Sequence, residues 1–425
     1  MFSPIDPAFI RNPYHHYPEI HRTSGVAFYE PWNAWFLFRH QDCKLALKDP
    51  RLGRTTTFDD QQLASHVLLL PILSRHAKLY QTVGRFMLLL DPPDHTRVRG
   101  TVQRAFSGKR VQGLRPIIAD ITNELVAGLA VKEEIDVIAD FAFPLPVMVL
   151  EKMLGIPRQD RAQFRAWTRK FVSVLELAPS SHELDEAACA LEGFTAYIQE
   201  LLAEKKSLVV ADPDDCEDLL VALLAAGKRE ILSTDEIVAT TLLLMVAGHE
   251  TTVHMLGNGV KALLENPEER ELLGSREDLI GTMVAEVLRY DSPVQCTARR
   301  AKQSYELQLG GTSLAIEQGQ DIIVMLGAAN HDPEIFTEPG RFQISRQNAR
   351  EHLAFGNGIH HCLGALLAEM EGQIAIPALF NRWKNTQLEI LVDTLEYLPN
   401  FVFHGLKKLP VRLTGSHHSN AFSSP

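Results

Sequence analysis

The chain is poor in cysteine, with 5 among 425 residues. Cys43, Cys189, Cys216, Cys296 and Cys362 are odd in number, far apart and without a paired spacing. That argues against a disulfide framework and fits a reducing, cytoplasmic setting. Long hydrophobic runs are also missing: the stretch Val67 to Leu73 (VLLLPIL) is too short, and too broken by Pro71, to span a bilayer. The N-terminus, MFSPIDPAFIRNP, carries prolines and an aspartate where a signal peptide or membrane anchor needs an apolar core, so neither is expected. Positive charge is in deficit, 42 Lys+Arg against 53 Asp+Glu for a net charge of −11, which disfavours nucleic acid and anionic membranes as partners. No Gly/Ser-rich linker, repeat or charge block divides the chain. One large monomeric domain over 1–415 is expected, with 416–425 a disordered tail. At 45% hydrophobic and 22% charged, the chain has ample material for a core.

What is present is concentrated in Phe355 to Glu371, FGNGIHHCLGALLAEME. Leu366, Leu367 and Met370 have the spacing of one buried helix face, which sets Cys362 at a helix N-terminus. There the unpaired N–H groups and the positive end of the dipole favour a thiolate, a good metal ligand. Gly356, Gly358 and Gly364 allow tight turns and close approach to something flat and bulky.

Phe355, Gly356, Gly358, His360, Cys362, Gly364, Leu367, Ala368 and Glu371 resemble the haem-binding signature of the cytochrome P-450 family. Glu369 stands where that family usually has arginine. The resemblance implies a mainly α fold with small β-sheets and a haem b held non-covalently, since no C-x-x-C-H attachment run exists. It makes Cys362 the axial thiolate of the iron, with Phe355 and Gly364 beside the ring and His360 on a propionate. The absence of an N-terminal anchor points to the soluble bacterial type.

Other segments acquire roles from the same resemblance. In DPPDHTRVRGTVQRAF (Asp91 to Phe106) the prolines set a turn and helix start, and His95 and Arg99, four apart, share one face able to grip an anion. The family assigns them to the haem carboxylates, as it does Arg299. Arg97, Arg104, Lys109, Arg110 and Arg115 make this stretch basic, a candidate docking patch for an acidic electron donor. Val67 to Leu73 would lie over the distal haem face, and Phe171, Val174 and Leu175 would belong to a lid.

Ser233-Thr234-Asp235-Glu236 is a capping box, and it opens a helical pattern running to Asn266-Pro267, about 45 Å of helix. Its middle, Ala247-Gly248-His249-Glu250-Thr251-Thr252, is polar in an apolar run. It matches the family's acid-alcohol motif, in which the helix loosens and Glu250 and Thr251 relay protons. Leu243, Leu244, Val246 and Ala247 on this helix are expected substrate contacts, with Val294, Thr297, Val402 and Phe403 from later segments.

Glu286 and Arg289, three apart, resemble the structural Glu-x-x-Arg pair, which Arg341 is expected to join. His331, in Asn330-His331-Asp332-Pro333, departs from the family's usual arginine.

The function implied is activation of O2 to oxidise a small hydrophobic substrate, with electrons from NAD(P)H through a separate ferredoxin or flavodoxin. The rivals are a peroxide-driven peroxygenase, which has little need for Glu250 and Thr251, and a non-catalytic haem-thiolate sensor or electron carrier.

Overall fold

The computed structural model describes residues 2–54, 76–106, 108–129, 132–175, 180–208, 218–228, 231–310, 312–384, 387–392 and 395–414. The stretch Val67 to Leu73 and the tail 416–425 lie outside the described residues.

The long helix Thr234–Glu265 organises the rest. Its start is the capping box read from the sequence: Ser233 Oγ accepts from the Glu236 N–H at 3.2 Å, and Glu236 Oε2 accepts from the Ser233 N–H at 2.7 Å. Asn266 and Pro267 end it, because proline has no N–H to continue the ladder. Buried residues run nearly all round it, as in a helix that belongs to the core. Gly257 allows close packing: a Cβ there would come within 2.5 Å of Ile138 Cδ1. An alanine at that position would cost about 1–3 kcal/mol by overpacking. The helices Pro144–Met153, Ile280–Tyr290 and Ala365–Arg382 complete the same core with Leu150, Val287 and Ile376.

Among the described residues, ten strands form three small sheets. β1 (Val26–Tyr29), β2 (Ala34–Leu37), β3 (Leu52–Gly53), β5 (Cys296–Ala301) and β8 (Asp321–Met325) make a sheet in the order β1-β2-β8-β5-β3, in which β2 and β8 alone run parallel. β4 (Glu134–Asp136), β9 (Gln387–Ile390) and β10 (Pro410–Thr414) form a second, in the order β4-β10-β9; β6 (Tyr305–Leu309) and β7 (Thr312–Ile316) form a hairpin. The β5 register pairs Thr297 with Val324 and Arg299 with Ile322, and the two-residue period puts Thr297 and Arg299 on one face. An isolated bridge from Val294 to Phe403 fastens the segment before β10 beside β5. The described residues are thus mainly helical, with the sheets at the margins of one helical core.

Candidate functional site

The cysteine loop is built by two left-handed glycines and one hydrogen bond. Gly356 and Gly358 have φ of 67° and 74°, which a side chain rarely adopts. At Gly358 a Cβ would also lie 2.5 Å from the Leu47 carbonyl oxygen. The Cys362 N–H donates to the Phe355 carbonyl at 2.9 Å, closing the loop before Gly364 caps the helix Ala365–Arg382. Cys362 is a free, exposed cysteine, yet protein surrounds it closely enough that burial pushes its thiol pKa up. The Gly364 N–H and the Arg99 charge oppose that rise. A thiol with free surface inside the protein is placed to bind something in a chamber.

Five cationic or basic side chains gather beside the loop. The helix Asp94–Ala105 supplies His95 and Arg99; His95 is buried, and Arg99 reaches across to donate to the His361 carbonyl at 2.6 Å. The rings of His95 and His360 lie 4.4 Å apart. Arg299 on β5 is buried and donates to the Ala298 carbonyl at 2.8 Å. The fifth, Arg54, was not read from the sequence. It follows β3, whose Gly53 pairs with Arg300, so one more step along the ladder brings Arg54 beside Arg299.

The electrostatics of this cluster are those of an anion site. Burial lowers the Arg54 pKa to about 9, with repulsion from Arg299 adding to the fall, while burial takes Arg299 to about 10. His360 is pushed to about 2 by burial and by Arg54, Arg299, His95 and Arg99. Asp91 opposes the shifts of Arg54 and Arg299 and accepts the Arg54 backbone N–H at 3.0 Å. Arg54 Nε, His95 Nε2 and His360 Nε2 are buried without a hydrogen-bond partner. Concentrated positive charge and orphaned donors are costly unless an anionic group meets them. The carboxylates of a large planar cofactor whose metal is bound by Cys362 fit both requirements. His361, by contrast, is exposed.

On the long helix, Ala247, Gly248, Glu250 and Thr251 keep accessible surface while Leu243, Leu244 and Val246 before them and Thr252 after them are buried. An opening therefore lies against the middle of a core helix. The helix stays α-helical through this patch instead of loosening. Side chains take up the carbonyls: Thr251 Oγ1 donates to Ala247 O at 2.9 Å and Thr252 Oγ1 to Gly248 O at 3.3 Å. Burial pushes the Glu250 pKa up, but His249, His254 and Arg169 outweigh it and hold the carboxyl below its ordinary value. His249 Nε2 is 3.3 Å and His254 Nε2 3.5 Å from the two Glu250 oxygens. Of the later residues expected to meet the substrate, Val294, Thr297 and Val402 are half-buried and Phe403 is buried against the bridge to Val294. Val174 is half-buried and Phe171 buried.

Glu286 and Arg289 are both fully buried and pair at 2.7 Å. Arg341 does not join them through its side chain. The Glu338–Arg341 turn points that side chain outward, 61% exposed, toward Glu338. Arg346, 6% exposed, is the third member: its Nε lies 3.1 Å from both Glu286 oxygens, and its other nitrogens donate to the Thr337 and Arg341 carbonyls. What Arg341 contributes is its backbone oxygen. His331 occupies its motif position as a buried ring whose Nε2 lies 2.8 Å from the Tyr290 carbonyl, with burial lowering its pKa to about 3.

Comparison with known proteins agrees with this geometry. The family model described as Cytochrome P450 matches residues 60–273 and 278–395. Cytochrome P450 107B1 of Saccharopolyspora erythraea is 39% identical over 388 residues, 89% of each chain. Vitamin D(3) 25-hydroxylase of Pseudonocardia autotrophica is 37% identical over 384 residues, 89% of this chain and 88% of the other. Among solved structures, CalO2 superposes with a TM-score of 0.85 at 30% identity, covering 97% of this chain and 99% of that one. P450BioI, in complex with acyl carrier protein ligated to hexadec-9Z-enoic acid, gives 0.82 at 33% identity over 96% of this chain and 100% of that one. No helix of the described residues is long and apolar enough to cross a membrane. Loop, anion pocket and whole-chain similarity together establish that the chain belongs to the cytochrome P450 family of haem-thiolate monooxygenases, which hold haem b non-covalently through a cysteine thiolate.

Proposed function

We propose that this monooxygenase hydroxylates or otherwise oxidises a small apolar organic substrate, drawing electrons from NAD(P)H through a separate ferredoxin or flavodoxin. The observation that carries the reading is the accessible carboxylate and hydroxyl, Glu250 and Thr251, in the middle of a buried helix. The chain's own residues then divide the work. Cys362 Sγ would ligate the iron, and Arg54, His95, Arg99, Arg299 and His360 would hold the two carboxylates, with Phe355 and Gly364 beside the ring. When bound, the haem would supply O2 activation, which a thiolate ligand from Cys362 would favour by donating electron density. Glu250, held ionised by its histidine neighbours and Arg169, accepts protons at its oxygens and passes them toward Thr251 Oγ1. A positioned acid of this kind is worth about 10²–10⁴ in rate. Ala247, Val294, Thr297 and Val402, which keep accessible surface, would form a mostly apolar substrate wall that keeps water from the reacting centre, backed by the buried Leu243, Leu244, Val246 and Phe403.

Docking of the electron donor falls to the basic stretch next to the cysteine loop. Arg104, Lys109 and Arg115 are exposed there, whereas Arg97 is engaged by Glu236 at 2.6 Å and Asp94 at 2.9 Å. Exposed Leu366 lies against Gly108 and adds an apolar spot to the patch. An acidic donor is the complementary partner. The reading is tested by substrate-induced spectral shifts in a hydrophobic library, followed by NAD(P)H-coupled product formation with a surrogate redox pair. Glu250→Gln and Thr251→Ala should each lose product per electron supplied. Peroxide-driven turnover at the full rate in both variants would instead establish the peroxygenase reading, and Lys109→Glu with unchanged salt dependence would remove the docking patch.

A further inference from the structure

Asp91 is an acid at the edge of a pocket that has to hold anions, and its side chain is only 17% exposed. Three separate segments converge on it. Both of its carboxylate oxygens accept the Arg54 backbone N–H, at 3.0 and 3.2 Å. Lys302, just after β5, approaches Oδ2 at 3.9 Å, and its own backbone N–H donates to the Arg51 carbonyl at 2.9 Å. The carboxylate lies so close to Gly53 that a Cβ at that position would collide with it and with the Lys302 chain. The Asp91 carbonyl, in turn, accepts the His95 N–H at 2.9 Å, which ties the acid to the helix Asp94–Ala105.

This clasp has one consequence for position and one for charge. It fixes the backbone at Arg54, one residue past the pairing of Gly53 with Arg300, and so places a guanidinium whose Nε is buried without a partner. Arg54, Arg99 and Arg299 all act on the ring of His360, while Asp91 acts on Arg54 and Arg299. The rings of His95 and His360, lowered first by burial, serve as neutral donors. Lys302 is 45% exposed, where solvent screens its charge. Three guanidinium groups less one carboxylate leave two positive charges, and haem carries two carboxylates.

We infer that Asp91 is a positioning residue for the cofactor: it seats Arg54 against the haem carboxylates and trims the pocket to their combined charge. The inference rests on giving this pocket to those carboxylates. One positive charge more would favour the reduced, more negative haem, and one fewer would favour the oxidised form. The acid thereby sets how readily the loaded enzyme accepts an electron.

The test uses the haem-loaded full-length enzyme without substrate, reduced in equilibrium with a reference dye. Arg54→Gln should lower the equilibrium constant for reduction and Asp91→Asn should raise it, each by about threefold or more, because one removes a positive charge and the other a negative one. Asparagine keeps an oxygen for the Arg54 N–H, so the second change acts through charge. The double variant carries the native charge and should return to within about twofold of wild type. Two single shifts of the same sign, or a double variant no nearer wild type than either single, overturn the charge match. Transfer of haem to an acceptor globin reads the positioning. Asp91→Glu keeps the charge, but its longer chain moves the oxygens off the Arg54 N–H, so haem should leave about as fast as from Arg54→Gln. Wild-type retention in Asp91→Glu beside rapid loss from Arg54→Gln overturns the clasp and leaves the pocket reading standing; wild-type reduction and retention in every variant overturn both. Should Asp91→Asn load no haem, Asp91→Glu decides.

Discussion

Glu286 and Arg289 meet at 2.7 Å with neither side chain exposed, and Arg346 closes on the same carboxylate at 3.1 Å. The pair draws in backbone from three places, since Arg289 also donates to the carbonyls of Asn330, Pro339 and Arg341. Removing one partner of such a network leaves a buried charge unpaired, which costs about 3–5 kcal/mol. Arg346→Ala should therefore lower the unfolding midpoint sharply and weaken haem retention. Arg341→Ala, at a largely exposed side chain, should stay within about 0.5 kcal/mol of wild type. Denaturant melts of the two variants side by side make the comparison, and equal losses would restore Arg341 to the network.

Cys362 is the sole side chain in the loop Phe355 to Gly364 suited to act as a thiolate ligand. Cys362→Ser should fold, because the loop is held by backbone hydrogen bonds and glycine conformations and not by the sulfur. Its ferrous carbonyl adduct should lack the red-shifted Soret band of thiolate coordination, and substrate oxidation should fall to background. Retention of either property would remove Cys362 from the iron.

Arg54 supplies charge to the anion pocket from a strand end remote in sequence from the cysteine. A charge-assisted hydrogen bond is worth about 1.5–3 kcal/mol, so Arg54→Ala should speed haem loss by about tenfold or more. The readout is transfer of haem to an acceptor globin. Removing Arg54 also takes away one of the charges that depress His360, whose ring should then titrate at higher pH. A rate of loss equal to wild type would mean that the guanidinium serves the local fold alone.

The contrast between residues that were legible and those that were not has a physical basis. Cys362 and its glycines are read from spacing because a loop gripping a flat group fixes chemistry within ten residues. The Ser233 cap is local for the same reason, since its donor and acceptor lie three residues apart. Arg54 and Arg346 carry no such signal. Arg54 is placed by the pairing of β3 with the distant β5, where Gly53 meets Arg300, and Arg346 by a turn whose geometry sends Arg341 outward instead. The expected loosening of the long helix fails for a subtler reason. The hydroxyls of Thr251 and Thr252 can satisfy the Ala247 and Gly248 carbonyls without breaking the α ladder, and sequence does not distinguish the two outcomes.

Glu371 gives the chain a pH dependence whose sign follows from burial. It is 1% exposed, its Oε1 has no hydrogen-bond partner, and burial raises its pKa to about 8 against an opposing hydrogen bond with Thr252. The folded state therefore keeps this proton over a range in which the unfolded chain, with an ordinary carboxyl, has released it. Below the unfolded pKa the group costs nothing. As pH rises toward 8 the folded state loses up to about 1.4 kcal/mol per pH unit relative to the unfolded one, and the penalty levels off once Glu371 ionises in both states. Glu371→Gln preserves shape and the contact with Thr252 but cannot titrate. Its unfolding midpoint should match or trail wild type near pH 5 and exceed it near pH 8, with a shallower slope between. Parallel midpoint curves for the two proteins across that window would show that Glu371 is already ionised in the folded enzyme at neutral pH.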